Sequence, residues 1–162
     1  MNKIIIADSS PLIALGSIDG LSILFKLFAK VIIPSVVADE CLIDKTKPGA
    51  IAIAQAIHEK KIQVHATDHQ KIDDALEILD EGEAAAIALA RSLHFPLLID
   101  EKLGRDVAKK FDIKIIGTIG VLLLAKQKKL IPAIKPILMQ LKNDHYFLSD
   151  KLIRETLSRA KE

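Results

Sequence analysis

The sequence predicts an α/β fold in which a mostly parallel sheet is covered by helices on both faces. Short apolar runs at 4–7, 31–33 and 96–99 carry no charge, as expected for strands that are buried on both faces. Segments with helical spacing separate these runs, and this alternation is typical of parallel sheets with right-handed crossovers. Apolar residues make up 50% of the chain but aromatic residues only 4%, which favours helices packed on a sheet over an all-β barrel.

The elements follow one another without a linker or a repeat. The first strand ends at Asp8, and Ser10 followed by Pro11 predicts the N-cap and first residue of a helix. Two short helices separated near residues 17–20 are expected next, and residues 66–79 predict a loose helical piece. Further strands are expected at 31–33, 62–65, 96–100 and 114–116, and further helices at 35–43, 50–60, 80–91, 101–111, 117–128, 132–142 and 149–161.

Length and charge limit the function. The 162 residues predict one domain, 1–162, in which 131–162 form a helical C-terminal extension packed on the rest. A formal net charge of +2 gives no overall electrostatic attraction for nucleic acid, so any phosphate contacts must be local. A single cysteine, Cys41, excludes an intramolecular disulfide. Neither a signal peptide nor about 20 consecutive apolar residues is found, so we expect a cytoplasmic protein outside the membrane.

Four carboxylates indicate the chemistry. Asp8 and Asp100 each follow a predicted central strand, whereas Glu40 and Glu83 lie on helices. If the first and fourth strands are neighbours, a crevice opens where Asp8 and Asp100 lie. Carboxylates gathered there would repel one another unless a divalent cation neutralised them, and oxygen ligands suit Mg²⁺ or Mn²⁺. Such a cation activates water for attack on a phosphodiester.

Each carboxylate also has a simpler interpretation. Asp8 can cap the following helix, Glu83 can favour the positive end of its helix dipole, and Glu40 can face solvent. The prediction therefore depends on the four residues as a set.

Four stretches, in this order and spacing, resemble the motifs of PIN domains. They are Ile-Ala-Asp-Ser-Ser-Pro-Leu-Ile at 6–13, Pro-Ser-Val-Val-Ala-Asp-Glu at 34–40, Gly-Glu at 82–83 and Leu-Ile-Asp at 98–100. The resemblance covers residues 3–125, and the stretches 82–83, 100–105 and 116–121 are similar to a prokaryotic branch of the superfamily without an assigned role.

The resemblance implies a three-layer α/β/α sandwich with a parallel sheet of about five strands, often homodimeric. It also implies a Mg²⁺- or Mn²⁺-dependent ribonuclease acting on single-stranded RNA, as in VapC-type toxins, whose partner is an antitoxin. Asp8, Glu40 and Asp100 match the acidic positions of the family. Glu83 matches a position where VapC-type members usually have Asp, and Ser10 matches a small hydroxyl residue that orients Asp100.

Nearby basic residues are candidates for contacts with substrate phosphate. Lys102 and Arg105 follow Asp100, and Lys45 and Lys47 follow Glu40, so both pairs are expected to flank the crevice. Ordinary solvated surface is an equally good interpretation of these four residues.

Two other functions are compatible with the same fold. One is a catalytically weak PIN-fold module that binds nucleic acid or protein, for which the near-neutral charge and the long C-terminal extension argue. The other is a receiver-like phosphotransferase, which ranks last because the stretch after the first strand lacks an Asp-x-Asp pair.

Overall fold

The computed structural model describes residues 4–72 and 76–162 and contains a five-stranded parallel sheet with the order β3-β2-β1-β4-β5. The predicted α/β fold is confirmed. The strands are β1 (Ile4–Ala7), β2 (Lys30–Pro34), β3 (Ile62–His65), β4 (Leu97–Leu98) and β5 (Ile115–Ile116). The helices are α1 (Ser9–Ser17), α2 (Leu21–Leu27), α3 (Ser35–Cys41), α4 (Pro48–His58), α5 (Glu81–Leu93), α6 (Lys102–Lys110), α7 (Thr118–Gln127), α8 (Lys135–Asn143) and α9 (Asp150–Arg159).

Strand β1 lies at the centre of the core. Its consecutive residues Ile5, Ile6 and Ala7 are all fully buried. Because successive side chains of a strand point to opposite faces, helices must cover the sheet on both sides. An uninterrupted apolar run satisfies this requirement, whereas an alternating one would leave polar groups inside the core.

Some element boundaries differ from the sequence prediction. Helix α1 begins at Ser9, so Asp8 rather than Ser10 occupies the N-cap position. Pro11 is tolerated at the third position of the helix, two residues later than predicted, because the first N–H groups of a helix have no intrahelical partner. Within 66–79, a short 3₁₀ helix spans His69–Lys71, and residues 73–75 lie outside the described part of the chain.

The strand order reverses between β1 and β4. The chain adds β2 and β3 on one side of β1 and places β4 and β5 on the other. The backbone N–H of Asp8 donates to the carbonyl of Leu98 at 2.9 Å, so the ends of β1 and β4 lie side by side. The sequence hypothesis that the first and fourth strands are neighbours is confirmed, and such a reversal is where ligands of open α/β sheets bind.

The C-terminal helices are tied to α7 by the last residue. The carboxylate of Glu162 accepts hydrogen bonds from Lys126 Nζ at 2.9 Å and from the backbone N–H groups of Ile134 and Lys135 at 2.7 and 3.1 Å. These two N–H groups lie at the start of α8, so Glu162 satisfies donors that the helix itself leaves unpaired. The assignment of 1–162 to one domain stays a prediction.

No single helix in the described ranges has the length and apolar character needed to cross a membrane. Helices α1 and α2 meet this criterion only when they are taken together, and the angle between them is 118°.

Within the described ranges, seven helices end on a residue other than glycine in the left-handed conformation. In each case the next N–H donates to the carbonyl five residues earlier, as from Lys61 to Ala56 and from Tyr146 to Leu141, both at 2.9 Å. This is the Schellman arrangement, which usually carries glycine because a Cβ is strained there. The left-handed residues are Asp19, Lys60, His94, Asp112, Lys129, His145 and Lys161.

We predict that Lys60→Gly stabilises the protein by roughly 0.5–1 kcal/mol, because glycine adopts a positive φ without steric cost. Lys60 is exposed and has a φ of 62°. Urea unfolding measures the change, and Lys60→Ala is the matched control because it removes the charge and keeps the Cβ. Equal stability of the two variants would contradict the explanation.

Candidate active site

Asp8 occupies the N-cap position of α1 without capping the helix through its side chain. The residue is 2% exposed, and its Oδ1 atom is buried with no hydrogen-bond partner in the described structure. An unpaired buried carboxylate oxygen costs free energy. Asp8 thus stands at the N-cap position without a side-chain capping hydrogen bond, and its burial calls for a further explanation.

The surroundings of Asp8 disfavour its charge. Burial first, and then the carboxylates of Asp80, Glu40 and Asp100, raise its pKa from 3.8 to about 7 against the opposing hydrogen bond from the Ser9 backbone. The charged groups that cause this shift are thus like charges. This arrangement is typical of a site that is completed by a bound cation or proton.

Asp100 follows β4 and is held by two other residues. Thr118 donates from its backbone N–H to Oδ1 at 2.8 Å and from its hydroxyl to Oδ2 at 2.7 Å. The Tyr146 hydroxyl donates to Oδ2 at 2.7 Å. Burial and the nearby Asp100 raise the pKa of Tyr146, so its hydroxyl remains a donor.

Ser10 does not orient Asp100. Its side chain is exposed, it lines the cleft beside Asp100, and the described hydrogen bonds join Asp100 only to Thr118 and Tyr146. Helix α1 begins at Ser9, and it is the Ser9 hydroxyl that donates to a carboxylate, that of Glu40.

Glu40 reaches the same region from α3. Its Oε2 atom accepts a hydrogen bond of 2.8 Å from the Ser9 hydroxyl, and its side chain is partly buried rather than fully solvated. The carboxylate lies against Gly82, where an added Cβ would come 2.7 Å from Glu40 Cδ. Gly82 therefore leaves the space that Glu40 occupies.

Glu83 and Asp80 take different roles at the start of α5. Asp80 caps the helix by accepting the Glu83 N–H at 2.8 Å. The Glu83 side chain is 8% exposed, so it does not serve as a solvated partner of the helix dipole. Burial first, and then Asp80 through a hydrogen bond and its charge, raise the pKa of Glu83 from 4.5 to about 8, with smaller contributions from Asp8 and Glu101.

The four predicted carboxylates thus meet at one end of the sheet. Of the predicted basic residues, Arg105 and Lys102 lie beside them. A Cβ added at Gly117 would lie 2.7 Å from Arg105 Nη1 and 2.9 Å from Asp100 Oδ1, so Arg105 lies beside Asp100. Lys102 is exposed and lines the cleft next to Asp100.

The second predicted basic pair lies apart from the carboxylates. Lys45 and Lys47 are exposed on the connection before α4, and Lys45 lines a separate groove on that helix. Neither lysine contributes to the described pKa shifts of Asp8 and Glu83.

Four residues of the site were not assigned a role there by the sequence analysis. Asp80 and Thr118 each stand at the start of a helix, where Asp80 accepts from the Glu83 N–H and Thr118 donates to Asp100. A polar residue at a predicted helix start is a signal that the sequence does carry. Ser9 adjoins Asp8 and differs from Ser10 only by the helix register. Tyr146 lies 46 residues from Asp100, and no local pattern indicates the contact.

A family model of PIN domains, DUF3368, matches residues 4–162. The chain belongs to the PIN-domain family. Among solved structures, the chain is similar to a PilT N-terminus domain protein, SSO1118, of the hyperthermophilic archaeon Sulfolobus solfataricus P2. The TM-score is 0.53 at 18% sequence identity, covering 73% of this chain and 89% of the other, so this likeness supports the fold. No curated protein shows significant sequence similarity.

PIN domains are in general nucleases that bind nucleic acids and use divalent metal ions. In the described ranges no three His, Cys, Asp or Glu side chains are arranged as a ready metal-binding group. Mg²⁺, however, usually keeps several waters and uses one or two carboxylates rather than a cage of protein ligands. The unpaired Asp8 Oδ1 beside other carboxylates supplies such a donor set, so the residues present fit a divalent cation.

We predict that Asp8→Asn stabilises the metal-free protein above neutral pH. The pKa of Asp8 is about 7 in the folded protein, against an ordinary value of 3.8. Preferential proton binding therefore stabilises the folded state below pH 4, and this stabilisation is lost as the pH rises to 7. Asparagine does not titrate, so the variant does not lose this free energy, which is up to roughly 4 kcal/mol. The measurement is urea unfolding in EDTA from pH 4 to pH 8.

Asp39→Asn is the control, since Asp39 is an exposed carboxylate on the same helix as Glu40. A constant difference in stability between the Asp8 variant and the wild type at all pH values would contradict the buried-charge explanation.

We predict that Gly82→Ala weakens Mn²⁺ binding without lowering stability. The added Cβ displaces the Glu40 carboxylate, which is the end of a flexible side chain, while alanine favours a helix over glycine by up to about 1 kcal/mol. Calorimetry with Mn²⁺ and thermal unfolding measure the two effects. In a double-mutant cycle, Gly82→Ala should add nothing to Glu40→Ala, and additive losses of affinity would show that glycine acts by another route.

Proposed function

We propose that this PIN domain is an endoribonuclease that hydrolyses phosphodiester bonds of single-stranded RNA with Mg²⁺ or Mn²⁺ as its cofactor. The observation that carries the proposal is the buried, unpaired Oδ1 of Asp8, which lies at the junction of β1 and β4 among other carboxylates. A protein that used this region only as a binding surface would gain stability by neutralising Asp8, so retention of the acid favours a role in chemistry.

Asp8 and Asp100 would hold the cation, with Glu40 and Glu83 completing the acidic site. The cation supplies charge that allows a phosphodiester to approach the carboxylates, activates water, and stabilises the charge that develops as the P–O bond breaks. Thr118 and Tyr146 fix the orientation of Asp100, and Ser9 fixes that of Glu40. Such supporting hydrogen bonds keep the carboxylates in place when the neutralising charge is absent.

Proton binding at Glu83 is the second contribution of the protein. Because burial and the neighbouring Asp80 raise the pKa of Glu83, proton binding there is favoured in the absence of cations. That proton reduces the repulsion among the carboxylates. Arg105, beside Asp100, is positioned to hold a phosphate oxygen through its planar guanidinium group.

Cleavage of a labelled single-stranded RNA tests the proposal. With Mn²⁺ or Mg²⁺ we expect cleavage that EDTA abolishes and that Asp8→Asn and Asp100→Asn each reduce by at least about 100-fold, as for loss of a group that stabilises transition-state charge. Asp39→Asn, an exposed carboxylate outside the site, should cleave normally. Equal cleavage by the wild type and both site variants would indicate a contaminant and contradict the proposal.

The alternative is a PIN-fold module that binds nucleic acid or protein with little catalysis. The near-neutral net charge and the absence of a ready three-ligand group in the described residues favour it. Calorimetry separates the two candidates, because a module without catalysis should bind Mn²⁺ equally in wild-type and Asp8→Asn protein.

The resemblance to VapC-type toxins extends the proposal to a cytoplasmic toxin–antitoxin ribonuclease that forms a homodimer and is inhibited by an antitoxin protein. Light scattering tests the dimer. Growth arrest on expression, relieved by a co-expressed neighbouring gene product, tests the toxin role.

A further inference from the structure

A cleft of about 500 Å³ opens beside Asp100, between α1 and the connection from α8 to α9. We call it the Asp100 cleft. Because Asp100 lines the cleft and is one of the four site carboxylates, a ligand in the cleft would lie next to the proposed cation site. Its lining residues are Ser10, Ile13, Ala14, Ser17, Asp100, Glu101, Lys102 and residues 144–147.

The 144–147 wall of the cleft is held firmly. His145 adopts the left-handed conformation, and the Tyr146 N–H donates to the carbonyl of Leu141 at 2.9 Å. Leu141 and Leu148, on either side of the wall, are buried in the core. The bond from the Tyr146 hydroxyl to Asp100 fixes the wall to the acidic site. The cleft is therefore formed before a ligand arrives, which reduces the entropic cost of binding.

Phe147, the last residue of this wall, projects an apolar ring into solvent. Phe147 is 88% exposed and is the most exposed large hydrophobic side chain in the described part of the chain. The ring also lines the Asp100 cleft, so a ligand that occupies the cleft can bury its apolar face. An aromatic face of this kind stacks on nucleobases with little preference for sequence.

The charges of the lining favour a base over a phosphate. Three carboxylates, Asp100, Glu101 and Asp144, line the cleft, against one lysine, Lys102. Carboxylates repel phosphate but accept hydrogen bonds from the amino groups of bases. Because Asp100 already accepts from Thr118 and Tyr146, Glu101 and Asp144 are the acceptors that the lining offers to a base. Lys102 is exposed and can contact the phosphate that follows the base.

We propose that the Asp100 cleft binds one unpaired nucleobase of the strand that the acidic site cleaves, with the base stacked on Phe147. This subsite rests on the proposed nuclease function and deepens it. It explains a requirement for single-stranded substrate, because a base paired in a duplex cannot leave its stack without a cost of a few kcal/mol.

A tryptophan introduced at the cleft reports on binding without cleavage. The chain contains no tryptophan, so Phe147→Trp gives a single fluorophore. We expect ribonucleosides and a short single-stranded RNA, added in EDTA, to quench it in a saturable way. Ile43→Trp is the matched control, because Ile43 is also an apolar side chain, 81% exposed, and lies outside the cleft.

Equal quenching of the two variants, or none, would overturn the proposal. A change in Phe147→Trp fluorescence with protein concentration alone would also overturn it, because a second copy of the chain would then cover the ring.

Kinetics provide the independent measurement. Phe147→Ala should raise KM for single-stranded RNA about tenfold with little change in kcat, as expected for the loss of one stacked base. Phe147→Tyr should restore KM, and Mn²⁺ affinity should be equal in all three proteins. An unchanged KM in Phe147→Ala would refute the subsite while leaving the nuclease intact. Saturable quenching without any cleavage would instead support the subsite and refute the nuclease.

Discussion

The parallel pairing of β1 with β4 determines the rest of the site. It places the last residues of two buried strands side by side, so that Asp8 and Asp100 leave the sheet at the same edge. The strands that follow β1 and β4 lie on opposite sides of this pair, and the resulting crevice receives side chains from several helices. Glu40 and Glu83 reach the crevice from α3 and α5.

This convergence is unfavourable for folding in the absence of a cation. Asp8 is buried with an unpaired oxygen, and carboxylates surround it. The apolar core around β1 supplies the stability that holds these groups together. An active site commonly keeps such strain because a neutral substitute, though more stable, would not bind the charge that the chemistry needs. The acidic edge of the sheet is thus an unfavourable feature that the fold tolerates and that the proposed function explains.

The C-terminal extension contributes directly to the site. Tyr146, on the connection between α8 and α9, holds Asp100, while Phe147 projects beside the cleft that Asp100 lines. Glu162 joins the end of the chain to α7 and α8. The last helices therefore support both the geometry of the acidic site and the proposed base-binding surface. They link substrate recognition to the residue that would hold the cation.

The sequence by itself determined the α/β class, most helices and strands, and four carboxylates of the site, because apolar periodicity and strand-end acids are local signals. Only the tertiary structure decided which hydroxyl residues support them. Helix α1 begins two residues earlier than predicted, so Ser9 supports Glu40 while Ser10 is exposed, and helix starts are poorly defined by local propensity. The bond from Tyr146 to Asp100, and the separation of Lys45 and Lys47 from the site, depend on how distant segments pack. Such contacts leave no pattern in the sequence because they arise only when the whole core closes.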